Sequence, residues 1–298
     1  HRGLAQARAG RENPGSMLIL GPWYHGIPAV SGEVRHGTRE LGPEAYIDYD
    51  SLVLDFMDLH LKGKRNRLAK AKPVRYFVMG SNQWREADSW PPRPTGELAL
   101  HLDGGPAGSA MGVLRRSAPS RPATTSFFNN PADPLRELPD WAVGTHDQRE
   151  LLRHSDRLAV FQSAPLRQDT TVAGNIRAEL YVSVDAPDAD IYVKVQDVAA
   201  DGTAYPLMDQ GAEVLRLSMR EVYAAQAQGQ AGAPQPLEPG RIYRISIDTL
   251  LTANTFHKGD RIRVLVCASW FPGMSRNLQT GASEATSSAM RPARITLH

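Results

Sequence analysis

Arg177-Ala178-Glu179-Leu180-Tyr181-Val182-Ser183-Val184 is the stretch that decides the fold, because polar and apolar residues alternate along most of it. Such alternation is typical of a β-strand with one buried and one solvated face. Similar runs rich in β-branched and aromatic residues recur along the chain; they are Val74–Gly80, Glu97–Leu102, Leu158–Gln162, Val172–Val184, Asp190–Val198, Glu213–Met219, Arg241–Asp248, Arg261–Ala268 and Arg294–Leu297. Turn formers such as Asp201-Gly202 separate several of them. Many short strands separated by turn residues, with few helices, predict a mainly β chain. Over residues 73–298 they predict a jelly-roll β-sandwich.

A different pattern precedes residue 73. Met17-Leu18-Ile19-Leu20-Gly21-Pro22-Trp23-Tyr24-His25-Gly26 begins with a short apolar run and continues into turn formers, which predicts a buried strand followed by a loop. His25 then follows the C-terminal end of the strand, where open α/β sheets place their chemistry, and is a candidate general base. The segment from Glu44 to Leu61 has apolar residues at helical spacing, and Gly63 suits a C-cap. We therefore predict a short piece of α/β structure over residues 1–72.

Composition excludes several classes of protein. The formal net charge is +2 over 298 residues, so no overall field favours nucleic acid or a membrane surface as a partner. A single cysteine, Cys267, excludes an internal disulfide framework and a multi-cysteine metal site. No apolar run approaches the roughly 20 residues of a membrane span. No motif implies a cofactor or a metal. The sequence favours a soluble protein and leaves open whether it is cytoplasmic, periplasmic or secreted.

Several short motifs, taken in order, resemble one family of hydrolases. They are Gly21-Pro22-Trp23-Tyr24-His25-Gly26, Phe56–Gly63, Val74–Gly80, Trp84–Pro92, Asn130-Pro131-Ala132-Asp133-Pro134, Val172-Ala173-Gly174, Gln196-Asp197-Val198 with Asp201-Gly202, Asn254-Thr255-Phe256 and Gly259-Asp260-Arg261-Ile262. Their order and spacing resemble the C-terminal portion of the cocaine esterase and X-Pro dipeptidyl-peptidase group of serine hydrolases. α-Amino acid ester hydrolases and glutaryl acylases belong to the same group.

The resemblance implies a fold and a reaction. It implies the last strand and helix of an α/β-hydrolase domain over residues 1–72, and a galactose-binding-like jelly roll of the X-Pro dipeptidyl-peptidase C-terminal type over residues 73–298. It also implies that His25 is the histidine of a Ser–Asp–His triad that cleaves an ester, an amide or a peptide. No cofactor or metal is implied.

The sequence departs from the family pattern at the other two members of the triad. Triad residues in this fold follow the order Ser, Asp, His, yet no G-x-S-x-G motif is present, and Glu12 is the only carboxylate before His25. We therefore expect the isolated chain to be inactive, as a fragment whose serine and aspartate come from an upstream hydrolase half, in cis or as another chain. Self-association into a homo-oligomer is left open.

Three aromatic residues are candidates for the substrate pocket. Trp23 and Tyr24 flank His25 and either line an acyl pocket or pack beneath the loop. Trp141 lies in a long segment with few structural signals and either contacts substrate or packs between domains. The alternative to an enzyme is a non-catalytic jelly-roll module with a binding or structural role, in which His25 is a vestige.

Overall fold

The computed structural model describes residues 16–23, 34–94, 96–104, 111–121, 123–136, 145–207 and 213–298. The chain forms two compact units. Unit 1 takes the described residues up to Glu97 together with Thr171–Gly174 and Ala253–Thr255, and unit 2 takes Leu98–Thr170, Asn175–Thr252 and Phe256–His298. The division into residues 1–72 and 73–298 that the sequence suggests stays a prediction.

The described part of unit 1 is built on five short strands and a helix. The strands are β1 (Leu18–Leu20), β2 (Arg35–His36), β3 (Arg39–Glu40), β4 (Val74–Val78) and β5 (Gln83–Ala87). β4 is the middle strand of a mixed sheet in the order β1-β4-β5, with β1 parallel and β5 antiparallel to it. β2 and β3 form a separate hairpin.

Alternation along β4 gives this small sheet two apolar faces. Val74, Tyr76 and Val78 pack on one face, where Leu18 and Leu20 of β1 join them. Phe77 points to the other face and packs with Leu41 and Ala45. The apolar run that predicts β1 is therefore explained by its place beside β4.

Helix α1 (Tyr49–Lys62) has a cap at each end. The Asp48 carboxylate accepts a hydrogen bond from the Ser51 backbone N–H at 3.0 Å, and the Gly63 C-cap has a φ of 65°. The C-cap prediction is confirmed, but the predicted start at Glu44 is wrong. Pro43–Ala45 forms a separate 3-10 turn, and Tyr46 behind it is extended, so the α-helix begins only after the Asp48 cap.

Unit 2 carries the remaining β structure. Its strands are β6 (His101–Asp103), β7 (Met111–Arg115), β8 (Thr125–Asn129), β9 (Leu158–Ser163), most of β10 (Thr170–Val184), β11 (Asp190–Val198), β12 (Ala204–Pro206), β13 (Glu213–Arg216), most of β14 (Tyr243–Phe256), β15 (Arg261–Cys267) and β16 (Ala293–Leu297). One sheet has the order β14-β10-β16-β8. A larger one has the order β12-β11-β15-β9-β7-β6, with β13 also paired to β11. The only α-helix among the described residues of this unit is α2 (Arg220–Ala227).

The core of unit 2 lies on the larger sheet, where every residue of β11 is buried. On one face the antiparallel register places Tyr192 beside Cys267, and both belong to a cluster with Leu151 and Trp270. The mainly β character predicted from the sequence is confirmed, whereas the jelly-roll assignment stays a prediction. Neither α-helix in the described ranges has both the length and the apolar sequence needed to cross a membrane.

Candidate active site

The sequence predicts four site residues, and one of them is described by the structure. Trp23 lies at the end of the segment that follows β1. His25 and Tyr24 fall in residues 24–33, and Trp141 falls in residues 137–144, all outside the described residues. The described residues nearest to His25 in the sequence are those before residue 24 and after residue 33.

β1 is the strand that precedes His25 in the sequence. Its three residues are in register with Val74, Arg75 and Tyr76 of β4, and the Leu18 N–H donates to the Pro73 carbonyl oxygen at 2.8 Å. This parallel pairing matches the arrangement in α/β proteins, where functional residues follow the C-terminal ends of parallel strands. His25 comes five positions after the last residue of β1.

Trp23 is held in place by its ring and by its indole nitrogen. The Nε1–H donates to the Ala45 carbonyl oxygen at 3.1 Å, and the ring centroid lies 5.6 Å from that of Trp84. The ring also folds back over Gly21, where an added Cβ would come within 2.3 Å of it. Glycine at position 21 is therefore a steric requirement of this packing. The residue two positions before His25 is fixed to the body of unit 1.

Trp84 completes this support, which we call the aromatic bracket: Trp23, Trp84 and Phe77. The Trp84 Nε1–H donates to the Glu44 carbonyl oxygen at 2.6 Å, and its ring meets Phe77 edge-on with centroids 5.4 Å apart. The guanidinium of Arg75 lies 4.6 Å from the Trp84 ring centroid, a cation–π distance. Both indoles thus bond to successive carbonyls of the Pro43–Ala45 turn. The sequence does not reveal this shared anchor.

The described chain resumes after the His25 segment with the β2–β3 hairpin. The Leu41 N–H donates to the Val34 carbonyl oxygen at 2.7 Å and closes the hairpin. Arg39 is buried, and its Nη2 donates to Oδ1 of the fully buried Asn254 at 2.8 Å. A buried guanidinium requires such partners, because its desolvation is otherwise costly. No motif in the sequence marks Arg39, and Asn254 is marked only by the Asn254-Thr255-Phe256 motif.

Two pKa shifts in unit 2 indicate structural roles for the groups concerned. Burial raises the pKa of the Cys267 thiol to about 12, so this sulfur is a poor nucleophile at neutral pH. Burial also raises the pKa of Asp190, although Asn277 Nδ2 (2.8 Å) and Arg216 Nε (3.1 Å) both donate to its Oδ1 and oppose the shift. Within the described ranges, no three His, Cys, Asp or Glu side chains are grouped so that they could hold a metal ion.

The chain is similar in sequence or fold to several known proteins. The chain is 32% identical over 283 residues to the cocaine esterase of Rhodococcus sp. (strain MB1 Bresler), a match that covers 91% of this chain and 46% of the esterase. It superimposes along its whole length on half of an aminopeptidase from a marine-sediment Thaumarchaeota archaeon, with a TM-score of 0.80 and 25% identity. An α-amino acid ester hydrolase shares the fold, with a TM-score of 0.78 at 21% identity over 49% of its length.

The chain thus spans about half the length of the relatives that it matches. The family resemblance read from the short motifs is confirmed, since these relatives include a cocaine esterase and an α-amino acid ester hydrolase. Residues 66–298 match the family described as the X-Pro dipeptidyl-peptidase C-terminal non-catalytic domain. Because that match takes in most of the sequence, the chain belongs to the X-Pro dipeptidyl-peptidase C-terminal domain family.

Proposed function

We propose that this chain is the C-terminal part of a serine hydrolase that cleaves an ester or an amide, and that His25 is its general base. In such a reaction the histidine takes the proton of the serine hydroxyl and returns it to the leaving alcohol or amine. The acyl group is carried on the serine as an ester and is then released by water. The serine and the aspartate belong, in this proposal, to an upstream half of the protein.

One observation carries the proposal. β1 runs parallel to β4, and the aromatic bracket fixes Trp23 two positions before His25. A catalytic base requires an orientation held by its surroundings, because misplacement by about 1 Å costs up to about 100-fold in rate. The elements on both sides of residues 24–33 have such support, through Ala45 on one side and through Arg39 and Asn254 on the other.

The rest of the chain has a supporting role in this proposal. Residues 73–298 form a jelly roll of the galactose-binding-like kind that takes no part in bond cleavage, in keeping with the description of the matched family. Tyr24 and Trp141 are candidates for the acyl-pocket wall. Trp23 is a weaker one, since its ring and its N–H are both engaged in packing.

The experiment uses the full-length protein and a fluorophosphonate probe, which forms a covalent adduct with an activated serine. We expect one adduct per molecule, and His25→Gln should lower the labelling rate by about 100-fold or more, the usual contribution of a general base. The matched control is His60→Gln, since His60 is an exposed histidine on α1. Hydrolysis of 4-nitrophenyl butyrate and of 4-nitroanilides then separates esterase from amidase activity.

Two outcomes would contradict the proposal. Labelling of the His25→Gln variant at the rate of the unmodified protein would remove His25 from the mechanism. A full-length protein that takes no fluorophosphonate and hydrolyses neither substrate would favour the non-catalytic module instead.

A further inference from the structure

The four-stranded sheet of unit 2, in the order β14-β10-β16-β8, has one buried and one exposed face. Alternate residues of its strands are buried, as Leu180, Ile295 and Phe127 are. The residues between them on β8 and β16 are exposed or half-buried. Two of the exposed side chains are aromatic: Tyr181 is 49% exposed and Phe128 is 43% exposed. Aromatic side chains on rigid strands are frequent anchors of binding sites, because they offer a large contact area at a low cost in conformational entropy.

The strand register fixes how far apart these two aromatic residues lie. The His298 N–H donates to the Tyr181 carbonyl oxygen at 2.9 Å, so these two residues lie opposite each other, and Phe128 lies opposite Arg294 of β16. β10 and β8 flank β16 on its two sides. With about 3.4 Å per residue along a strand and about 4.8 Å between strands, the backbones at Tyr181 and Phe128 are about 17 Å apart. A ligand that contacts both rings must therefore be extended.

Hydroxyl groups lie on this face between the two rings. Thr296 of β16 is in register with Ser126 on one side and with Ser183 on the other. The Ser126 Oγ and the Thr296 Oγ1 are 2.8 Å apart. The Ser183 Oγ lies 2.8 Å from Nε2 of His298 and holds that imidazole against the sheet. We call this surface the hydroxyl strip; it consists of Tyr181, His298, Thr296, Ser126, Arg294 and Phe128.

The side chains of the hydroxyl strip match the chemistry of a sugar chain. A pyranose ring has an apolar face of C–H groups, which stacks on an aromatic ring, and hydroxyls at its rim. Serine, threonine and histidine side chains donate and accept hydrogen bonds with such hydroxyls, and the exposed guanidinium of Arg294, 5.9 Å from the Phe128 ring centroid, adds donors at one end. The strip contains no carboxylate. Its two aromatic rings are separated by polar groups, whereas stable protein interfaces have a continuous apolar core.

We propose that the hydroxyl strip binds an extended, neutral oligosaccharide, with one sugar ring stacked on Tyr181 and another on Phe128. The sugar units between them exchange hydrogen bonds with Thr296 and Ser126. This binding site is additional to the proposed hydrolase site, and sugar binding needs no reaction at His25. The two proposals can therefore fail independently.

The test uses the full-length protein in native gels that contain hydroxyethylcellulose, arabinoxylan or soluble starch. We expect at least one of these polysaccharides to retard the protein, and titration calorimetry with cellohexaose, xylohexaose or maltohexaose then gives a dissociation constant. Tyr181→Ala and Phe128→Ala should each raise that constant by tenfold or more, because each removes an aromatic anchor. Tyr181→Trp keeps an aromatic ring and should stay within threefold of the wild type. Tyr223→Ala is the matched control, since Tyr223 is a tyrosine of α2 that is 45% exposed, and it should change the constant less than threefold.

Three results would overturn the proposal. The first is a protein that none of the three polysaccharides retards. The second is unchanged sugar binding in a Tyr181→Ala/Phe128→Ala double variant whose circular dichroism spectrum matches that of the wild type. The third is a dimer in sedimentation velocity that the double variant converts to monomers without any effect on sugar binding, which would assign the strip to a second copy. His25→Gln should abolish hydrolysis and leave retardation unchanged, so failure of the proposed function is seen separately.

Discussion

Replacing Gly80 by alanine should destabilise unit 1 far more than the same change at Gly63. Both glycines have left-handed backbones, with φ of 81° and 65°. An alanine in this conformation costs about 1 to 2 kcal/mol at either site. A Cβ on Gly63 would meet nothing within 4 Å, whereas a Cβ on Gly80 would lie 2.1 Å from the Thr255 carbonyl oxygen.

That clash involves backbone atoms, so no side-chain rotation can relieve it. The local pairing is held by two hydrogen bonds, from the Thr255 N–H to the Met79 carbonyl oxygen at 2.7 Å and from the Met79 N–H to the Ala253 carbonyl oxygen at 3.0 Å. Separating the two segments by about 1 Å weakens both, at about 0.5 to 1.5 kcal/mol each. We expect Gly80→Ala to lower the free energy of unfolding by about 2 to 5 kcal/mol, and Gly63→Ala by about 1 to 2 kcal/mol.

The assay is urea unfolding followed by tryptophan fluorescence, which reports on unit 1 through Trp23, Trp84 and Trp90. Gly63→Ala is the internal reference, since it shares the conformational cost but not the clash. Equal losses of stability in the two variants would refute the close approach of Gly80 to Thr255.

Four further predictions concern individual hydrogen bonds and pKa shifts. Trp23→Phe removes the hydrogen bond to the Ala45 carbonyl oxygen. It should lower the free energy of unfolding in urea by about 1 kcal/mol more than Trp90→Phe, because the buried Trp90 Nε1 has no hydrogen-bond partner in the described part of the chain. Equal losses in the two variants would contradict this. Burial raises the pKa of Cys267 to about 12, whereas an unfolded thiol has a pKa near 8.5. Cys267 should therefore react with iodoacetamide at pH 8 at least about 1,000-fold more slowly in the folded protein than in urea. Rapid labelling of the folded protein would refute this. Burial raises the folded-state pKa of Asp190 above 3.8, so its contribution to stability is lost as pH rises through that raised value, and the stability of Asp190→Asn relative to wild type should increase with pH above 3.8. A hydrogen bond from Arg157 lowers the pKa of Asp133, so its contribution is lost as pH falls below 3.8, and Asp133→Asn should improve relative to wild type over that fall; matching pH curves for the two variants would contradict the assignment.

Strands with strong β-branched composition were predictable from the sequence. β11 runs from Asp190 to Val198, as the sequence predicts, and β15 differs from its prediction by one residue at the end. In β11 the Ile191, Val193 and Val195 side chains favour extended structure and fill the core at the same time. Local preference and tertiary packing agree there, so the sequence pattern alone is sufficient to predict the strand.

β7 was missed because its local preference opposes its structure. It contains Gly112, which weakens strand propensity and reads as a turn former. In the structure a Cβ at this position would lie 2.5 Å from the Phe161 ring on the neighbouring strand. Glycine is present because Phe161 occupies the space that a side chain would need. That reason involves a residue far along the chain and leaves no local signal.

The same distinction separates what the sequence reveals about the candidate site from what it conceals. His25 could be proposed as a general base because a short apolar run and Gly-Pro precede it, and both are local signals. The contacts of the described residues on either side of it could not be predicted, because Trp23 bonds to a carbonyl 22 residues away and Arg39 to a side chain 215 residues away. A backbone carbonyl acceptor cannot be recognised from the sequence, because every residue has one. A buried arginine cannot be told from a surface arginine by sequence until its partner is known. The residues that anchor the segments beside a candidate catalytic residue are therefore the ones for which a structure is indispensable, while the candidate residue itself can be proposed from local sequence.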